Sequence, residues 1–454
     1  MLPRIVTWLV GWAVALFYDV ERTGPGLVPG PVLVTANHPN SLVDPLLIFH
    51  TGGRHTRPLA KAPLFEHVVV GTVLRGLGGL PVYRKQDDPD QMHLNERTFD
   101  AAIAALTKGE AVQIYPEGRS HSEPRMSELR TGAARIALMA EEQAGWTLGL
   151  KVQPVGLTYE QKLFFRGRAV AAYGEPIEVA AYRSGYAQDQ RAAARALTDD
   201  IRRGLLQVTL QAETTEDREL VNLAERIWAR EKGEARPRER QKLSERLPRM
   251  RAFARAYARL RAEDAEYAKE LRAGVRRYQR MVTALGVREG DVPRRYQPKR
   301  VATYAAGQLA MLLLVLPAAV AGMVFWAPPY GLTRVIARRF RPKHDQVATY
   351  KLSVGFFAFP IWLGMVCAPV FLLRGLVPSL VVAIAAPVIG LAAVAWRARQ
   401  AAVREDVRVF LRARRRPDAQ DRLSDLRADL VRQFDEIATR WSDEGGAGTS
   451  TGAS

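Results

Sequence analysis

The hydrophobic pattern divides the chain into stretches of different period. From about Gly24 to Val179, short β-rich apolar runs alternate with helical stretches, as in an α/β domain built on a central sheet flanked by helices. Pro31 to Ala36, Ala111 to Tyr115 and Lys151 to Tyr159 read as strands. Asn95 to Thr107 and Thr131 to Gln143 read as helices, the second closed by Gly145 as a C-cap. From about Ala212 to Arg300 the sequence becomes Arg/Glu-rich, with Leu243, Leu247, Met250, Tyr257, Leu260, Tyr267, Leu271, Tyr278 and Leu285 at helical spacings. This predicts a helical hairpin or long amphipathic helices, acting as a solvated linker with a narrow packing stripe or as a partner-binding coiled coil.

Three apolar stretches follow, at approximately 304–327, 352–373 and 376–396, each near the roughly 20 residues that a membrane-spanning helix requires. Only Arg374 and Gly375 separate the last two, which read as a tight helical hairpin. Basic residues flank the first stretch on both sides: Arg294, Arg295, Lys299 and Arg300 precede it, and Arg334, Arg338, Arg339, Arg341 and Lys343 follow. Both flanks favour the cytoplasmic face. The first stretch, interrupted by Pro317 and stopped by Pro328 and Pro329, is therefore expected to dip into the membrane and return without crossing.

The apolar run from Ile5 to Tyr18 resembles a secretory signal, with Ala13 and Ala15 spaced like a cleavage site. It is short for a full span, and Trp8 and Trp12 are amphipathic anchors, which favours an uncleaved helix in the membrane interface. The expected organisation is an interface helix over 1–20, a catalytic domain over 21–211 and a charged helical segment over 212–300. A membrane region of two to three apolar helices over 301–397, a charged helical tail over 398–444 and a disordered end over 445–454 complete it.

Composition narrows the class of partner. The excess of 66 Lys+Arg over 47 Asp+Glu, a net charge of +19, points to a polyanion, either nucleic acid or an anionic membrane face. The segment LAMLLLVLPAAVAGMVFW, Leu309 to Trp326, favours membrane lipid. No helix-turn-helix, zinc or aromatic-basic platform is evident, so nucleic acid is not the expected partner. Cys367 is the only cysteine, which excludes intrachain disulfides and a cysteine zinc site and fits a reducing compartment.

The strongest chemical signal is VLVTANHPNSLVDP, Val32 to Pro45, in which a strand delivers Asn37 and His38 to a turn and Pro39 is suited to start a helix. A reaction in which a hydroxyl oxygen attacks needs a base for the hydroxyl proton, and histidine titrates in the useful range. His38 is the candidate base; Asp44 can accept from its other ring nitrogen and stabilise the imidazolium that forms. A histidine and an aspartate at this spacing are by themselves more often structural. In AVQIYPEGRSHSEP, Ala111 to Pro124, a strand ends in a turn carrying Glu117, Gly118, Arg119 and Ser120, which can bind an anion; the plainer reading is an ordinary strand exit. In LRGLGGLPVYRKQ, Leu74 to Gln86, glycines permit a tight path and Arg84 and Lys85 supply cations; the plainer reading is a glycine turn before an edge strand.

Together, in order and spacing, these pieces resemble the four sequence blocks of the glycerolipid acyltransferase family over roughly residues 20 to 180. NHPNSLVD resembles the first block, with catalytic His38 and Asp44. GGLPVYR, ending at Arg84, resembles the second, and YPEGRS, with Glu117, Gly118 and Ser120, the third; the resemblance assigns both to the acceptor-phosphate site. VQPVGLTY, with Pro154, resembles the fourth, and Lys61 lies where the family often has a lysine. The implied fold is an α/β acyltransferase domain around a mixed sheet, with a helical middle segment and C-terminal transmembrane helices. The implied activity is transfer of a fatty acyl group from acyl-CoA or acyl carrier protein, as co-substrate, to a glycerol-phosphate acceptor, without a metal or prosthetic group. A multi-pass membrane protein with its catalytic domain facing the cytoplasm is expected, and a non-catalytic membrane scaffold is the alternative.

Two departures refine this. Five residues, Pro39 to Val43, separate the histidine from the aspartate where the common form has four, and the third block lacks a threonine between Gly118 and Arg119. Both variants are similar to a branch that includes fungal glycerol-3-phosphate and dihydroxyacetone-phosphate acyltransferases, as is HDQVATYKLSVGFF, His344 to Phe357. The branch implies acylation of the first position of glycerol 3-phosphate, with lysophosphatidate the next acceptor. The extra residue would rotate Asp44 by about 100° on a regular helix, so the dyad requires a loop or a bulged turn.

Overall fold

Along the chain the first elements are β1 (Tyr18–Thr23), β2 (Val32–Ala36), α1 (Val43–Thr51), β3 (Thr56–Lys61), α2 (Pro63–Glu66), α3 (Val68–Gly76) and β4 (Leu80–Val82). They continue with α4 (Asn95–Thr107), β5 (Ala111–Ile114), α5 (Gly132–Gln143), β6 (Lys151–Glu160), β7 (Gly167–Tyr173), β8 (Ile177–Glu178), α6 (Arg183–Gln188) and α7 (Gln190–Val208). The computed structural model describes residues 11, 13–66, 68–83, 95–234, 241–285, 298–339, 347–415 and 417–446.

The strands form one mixed sheet in the order β1-β7-β6-β2-β5-β3-β4, with β8 beside the start of β6. From β6 to β4 the strands run parallel, and β7 with β1 runs against them. All five residues of β2 are buried because the sheet is covered on both faces. The pleat alternates its side chains: Leu33 packs with Leu106, Ile136 and Leu197 from α4, α5 and α7, whereas Val32 and Val34 pack with Leu47 and Ile48 of α1. The glycine turn before β4 is tight, with Gly78 at φ +67°, and β4 is an edge strand. Gly145 adopts the left-handed conformation expected just beyond α5.

Residues 13–17 are helical, but Tyr18 opens β1, parallel to β7, and Val14 and Tyr18 are fully buried. The Tyr18 hydroxyl accepts from Asn40 Nδ2 at 3.0 Å and donates to the Lys162 carbonyl at 2.5 Å. An interface helix over the whole of 1–20 is thus corrected: these internal partners and the sheet edge take Tyr18 into the core. Trp8 and Trp12 lie outside the described residues.

The chain forms two compact units that are not consecutive in sequence: the first takes in Lys242–Arg251 and Pro342–Leu352 as well as Met1–Thr215. Within it, the Glu21 carboxylate of β1 accepts from the N–H groups of Leu243 (2.9 Å) and Ser244 (2.6 Å), capping a helix start.

The other helices are α8 (Thr215–Glu231), α9 (Leu243–Glu263), α10 (Ala265–Leu285), α11 (Pro298–Arg339), α12 (Val347–Arg374), α13 (Leu376–Arg415) and α14 (Pro417–Gly446). Leu220, Ile227, Leu260, Tyr278, Leu430 and Phe434 share one core in the second unit, so the charged middle segment is a packed helical bundle rather than a solvated linker. Helix α14 contributes to that core, while residues 447–454 lie outside the described ones.

Three helical stretches are long and apolar enough to cross a membrane: Ala302–Ile336, Ser353–Arg374 and Leu376–Arg404. Leu314, Leu372 and Leu373 are at least 80% exposed, leaving an apolar exterior that lipid would cover. Helix α11 runs unbroken through Pro317, Pro328 and Pro329, which corrects the expected re-entrant turn. Each interior proline deprives a carbonyl four residues earlier of its donor. The carbonyl freed by Pro329 is that of Phe325, and it accepts from Trp362 Nε1 of α12 at 2.9 Å. Trp326 and Trp396 donate to the carbonyls of Ala386 and Leu312, both at 2.8 Å, tying α11 to α13. Gly375, at φ +84°, donates to the Phe371 carbonyl at 2.9 Å and ends α12 just before α13.

A Cβ on Gly322 of α11 would overlap the Ile389 carbonyl of α13, whereas one on Gly307 would meet nothing. Gly322→Ala should therefore destabilise the detergent-solubilised protein by about 1–3 kcal/mol, the usual cost of overpacking. Gly307→Ala should not; thermal unfolding of the two variants side by side checks this.

Candidate active site

The candidate residues gather where ligands of open α/β sheets collect, beyond the carboxyl ends of the parallel strands. Strand β2 ends at Ala36, and the next residue, Asn37, continues the ladder with its side chain. Its Nδ2 donates to the Leu157 carbonyl (3.0 Å) and its Oδ1 accepts from Leu157 N–H (2.7 Å). This places His38 at the strand end. Its Nδ1 lies 2.8 Å from Asp44 Oδ2. An ionised carboxylate only accepts, so Nδ1 carries the proton and Nε2 presents its lone pair; Nε2 has no partner among the described residues.

Helix α1 does not start at Pro39, as the sequence suggests, but at Val43. Asn40 to Asp44 form a turn, with Ser41 at φ +49° and hydrogen bonds from Val43 N–H to Asn40 O (3.1 Å) and Asp44 N–H to Ser41 O (3.2 Å). This turn brings Asp44, in the first turn of α1, back to His38. Asp44 is wholly buried; its Oδ2 also accepts from Asn40 N–H at 2.7 Å, and its Oδ1 accepts from Tyr159 Oη at 2.7 Å. Burial and the nearby carboxylate push the Tyr159 phenol well above its usual range, so it remains the donor.

Glu117 is the second buried carboxylate. Its Oε1 accepts from the His38 backbone N–H at 3.2 Å, and its Oε2 takes Ser127 N–H at 2.7 Å and lies 2.6 Å from His121 Nε2. The Tyr115 ring stacks on the His38 imidazole, with centroids 4.0 Å apart and planes 16° apart. Three more links bind the loop after β2 to the loop after β5. His121 N–H donates to His38 O (3.0 Å), Ser41 N–H donates to Ser120 Oγ (3.0 Å), and Lys162 Nζ bridges Pro39 O and Ser122 Oγ at 3.1 and 2.5 Å.

Of the residues singled out in the sequence, the structure brings His38, Glu117, Gly118 and Ser120 into these two loops and Asp44, in the first turn of α1, against His38. Glu117 and Ser120 are occupied by loop-to-loop hydrogen bonds. Lys61 ends β3, at the same edge of the sheet, and Arg84 lies outside the described residues. His121 belongs to the polar turn after β5 that the sequence marks as able to bind an anion, while Tyr115, Tyr159 and Lys162 escaped sequence reasoning. Tyr115 and Tyr159 stand inside the quoted blocks, and a polar group at the end of an apolar strand was their only signal.

Residues 19–158 match the protein family described as Acyltransferase, so this part of the chain is an acyltransferase-like domain. Among curated relatives, the chain is 25% identical over 310 residues to an uncharacterized acyltransferase of Schizosaccharomyces pombe, covering 49% of this chain and 46% of that protein. It is 36% identical over 136 residues to Glycerol-3-phosphate O-acyltransferase 2 of Saccharomyces cerevisiae, covering 30% of this chain and 18% of that protein. With Glycerol-3-phosphate O-acyltransferase 1 of the same yeast it shares 30% identity over 151 residues, 32% of this chain and 19% of the relative. The matches thus span less than half of each relative's length. Among solved structures it is similar to the 1-acyl-sn-glycerophosphate (LPA) acyltransferase PlsC from Thermotoga maritima, at 21% identity and a TM-score of 0.33 over 45% of this chain and 78% of the other.

The hydrogen bond to Glu117 raises the His121 pKa above 6.5, against the opposing effect of burial. A raised pKa contributes stability that is complete below about pH 6.5 and is lost as pH rises through the folded value. The melting temperature of wild type minus that of His121→Ala, measured from pH 5.5 to 8.5, should therefore be largest at the acid end and shrink as pH rises.

Proposed function

We propose that this protein is a membrane-bound O-acyltransferase of phospholipid synthesis, which moves a fatty acyl group from acyl-CoA or acyl carrier protein to the first hydroxyl of glycerol 3-phosphate. The observation that carries this reading is the His38 imidazole, fixed at Nδ1 by buried Asp44, with Nε2 open at the carboxyl end of the sheet. In the proposed reaction the acceptor hydroxyl attacks the thioester carbonyl while Nε2 takes its proton. The tetrahedral intermediate collapses, the carbon–sulfur bond breaks, and the imidazolium returns the proton to the departing thiolate. The products are the ester and the free thiol. Asp44 stabilises the imidazolium in between.

Glu117 serves this chemistry by holding the His38 main chain, and Ser120 by holding the turn at Ser41. Lys61, Arg84 and the Gly118 turn are proposed to meet the acceptor. The names of the two budding-yeast relatives favour glycerol 3-phosphate over a lysophosphatidate as acceptor. The apolar helices are proposed to anchor a multi-pass protein against anionic lipid, with the catalytic unit on the cytoplasmic side.

The test is transfer from labelled long-chain acyl-CoA by the purified protein in detergent, with glycerol 3-phosphate and 1-acylglycerol 3-phosphate offered in parallel. Loss of a general base lowers turnover by about 10²–10⁴-fold, so His38→Ala should lose activity to that extent while still folding, with a lowered melting temperature because buried Asp44 loses one of its donors. An unimpaired His38→Ala variant would sink the catalytic assignment. Absence of product from both acceptors, with acyl carrier protein also tried as donor, would favour the scaffold.

A further inference from the structure

The loop between β5 and α5 contains an arginine that none of the contacts described so far employs. Gly118, in the left-handed region at φ +69°, lies directly beneath the Arg130 side chain: a Cβ at 118 would come within 2.9 Å of Arg130 Nε and 3.2 Å of its Cδ and Cζ. The base of that side chain is held as well, since Arg130 N–H donates to the Pro116 carbonyl at 2.8 Å. The guanidinium is therefore seated on the backbone of the turn whose preceding residue, Glu117, holds His38. It is exposed, and it has neither an ion pair nor a hydrogen-bond acceptor among the described residues.

The other arginines of this loop, and the lysine that bridges it to the loop after β2, are occupied. Arg119 Nη2 lies 3.3 Å from Glu123 Oε1 and 3.1 Å from Ser127 Oγ, Arg125 Nη1 lies 3.4 Å from Glu213 Oε2, and Lys162 donates to Pro39 O and Ser122 Oγ. Both Glu117 oxygens are taken by donors, so that carboxylate is already matched within the loop. On the same turn, buried His121 Nδ1 has no hydrogen-bond partner among the described residues. A planar guanidinium without a carboxylate, at the edge of a site for a phosphorylated polyol, suits bidentate pairing with a phosphate.

We propose that Arg130 pairs with the phosphate of the acceptor and so sets the preference for a phosphorylated over an unphosphorylated polyol. This rests on the proposed transfer to a glycerol phosphate. Gly118 is required because any side chain there would displace the guanidinium from its seat.

The experiment is steady-state kinetics of the full chain in detergent, comparing wild type, Arg130→Ala and Arg130→Lys with glycerol 3-phosphate, glycerol and acyl-CoA varied in turn. Arg130→Ala should raise KM for glycerol 3-phosphate roughly tenfold or more, the effect of losing charge-assisted hydrogen bonds. KM for acyl-CoA should stay unchanged, and the preference for glycerol 3-phosphate over glycerol should narrow. Arg130→Lys should recover part of the loss, since the charge remains and the fork does not. Inorganic phosphate should compete with the acceptor in wild type and lose that competition in Arg130→Ala. A variant with unchanged acceptor KM, or with equal losses for donor and acceptor, overturns the proposal. If wild type fails to acylate glycerol 3-phosphate, the proposed function fails by itself. Arg130 is then judged by whether inorganic phosphate raises the melting temperature of wild type and not of Arg130→Ala; equal shifts overturn it.

Discussion

A carboxylate without contact with water must be surrounded by donors, since an unpaired buried charge is among the costliest features a fold can contain. Asp44 is wholly buried, and His38 Nδ1, Asn40 N–H and the Tyr159 hydroxyl all point at it. These donors come from the loop after β2 and from the end of β6, so satisfying one charge ties two neighbouring strands together. It also dictates the turn before α1: the Asn40 amide can reach Asp44 only because the chain doubles back at Ser41 in the left-handed region. That conformation is uncommon for a side chain larger than glycine, and the surrounding hydrogen bonds maintain it.

Glu117 repeats this logic one strand away. It is also buried, and its donors are the His38 and Ser127 amides and the His121 ring. One carboxylate therefore fixes the imidazole through its ring and the other through its main chain, while Tyr115 limits the ring's tilt by stacking. An imidazole held in this way has one proton-accepting nitrogen in one orientation. Such preorganisation suits the proposed proton transfer, because little reorientation remains when a proton moves.

The apolar helices are governed by the same requirement in another solvent. Lipid supplies no donors, so carbonyls left open by prolines must be matched within the protein. The indole of Trp362 matches the one opened by Pro329, and two further tryptophans join α11 to α13 where Gly322 allows the backbones to approach. Proline thus leaves α11 continuous, although in water it is read as a helix breaker.

Sequence alone determined whatever depends on local period and residue chemistry. The alternation of β2, β5 and β6 with α4 and α5 was legible because strands covered on both faces read as short continuous apolar runs, whereas helices buried on one face show a period of 3.6. The length and composition of the apolar helices were legible, as was the pairing of His38 with Asp44. Long-range partners were not, since a hydrogen bond leaves no trace in the spacing of its ends. Tertiary structure alone decided that the turn at Ser41 brings Asp44 to His38, that Tyr159 from a strand distant in sequence completes the Asp44 site, and that Glu117 holds the His38 backbone. It also decided that Tyr18 belongs to the sheet and that charged helices far apart in sequence share one core. In each case the deciding quantity was the set of neighbours available to a buried group, and that set exists only after the chain has closed around it.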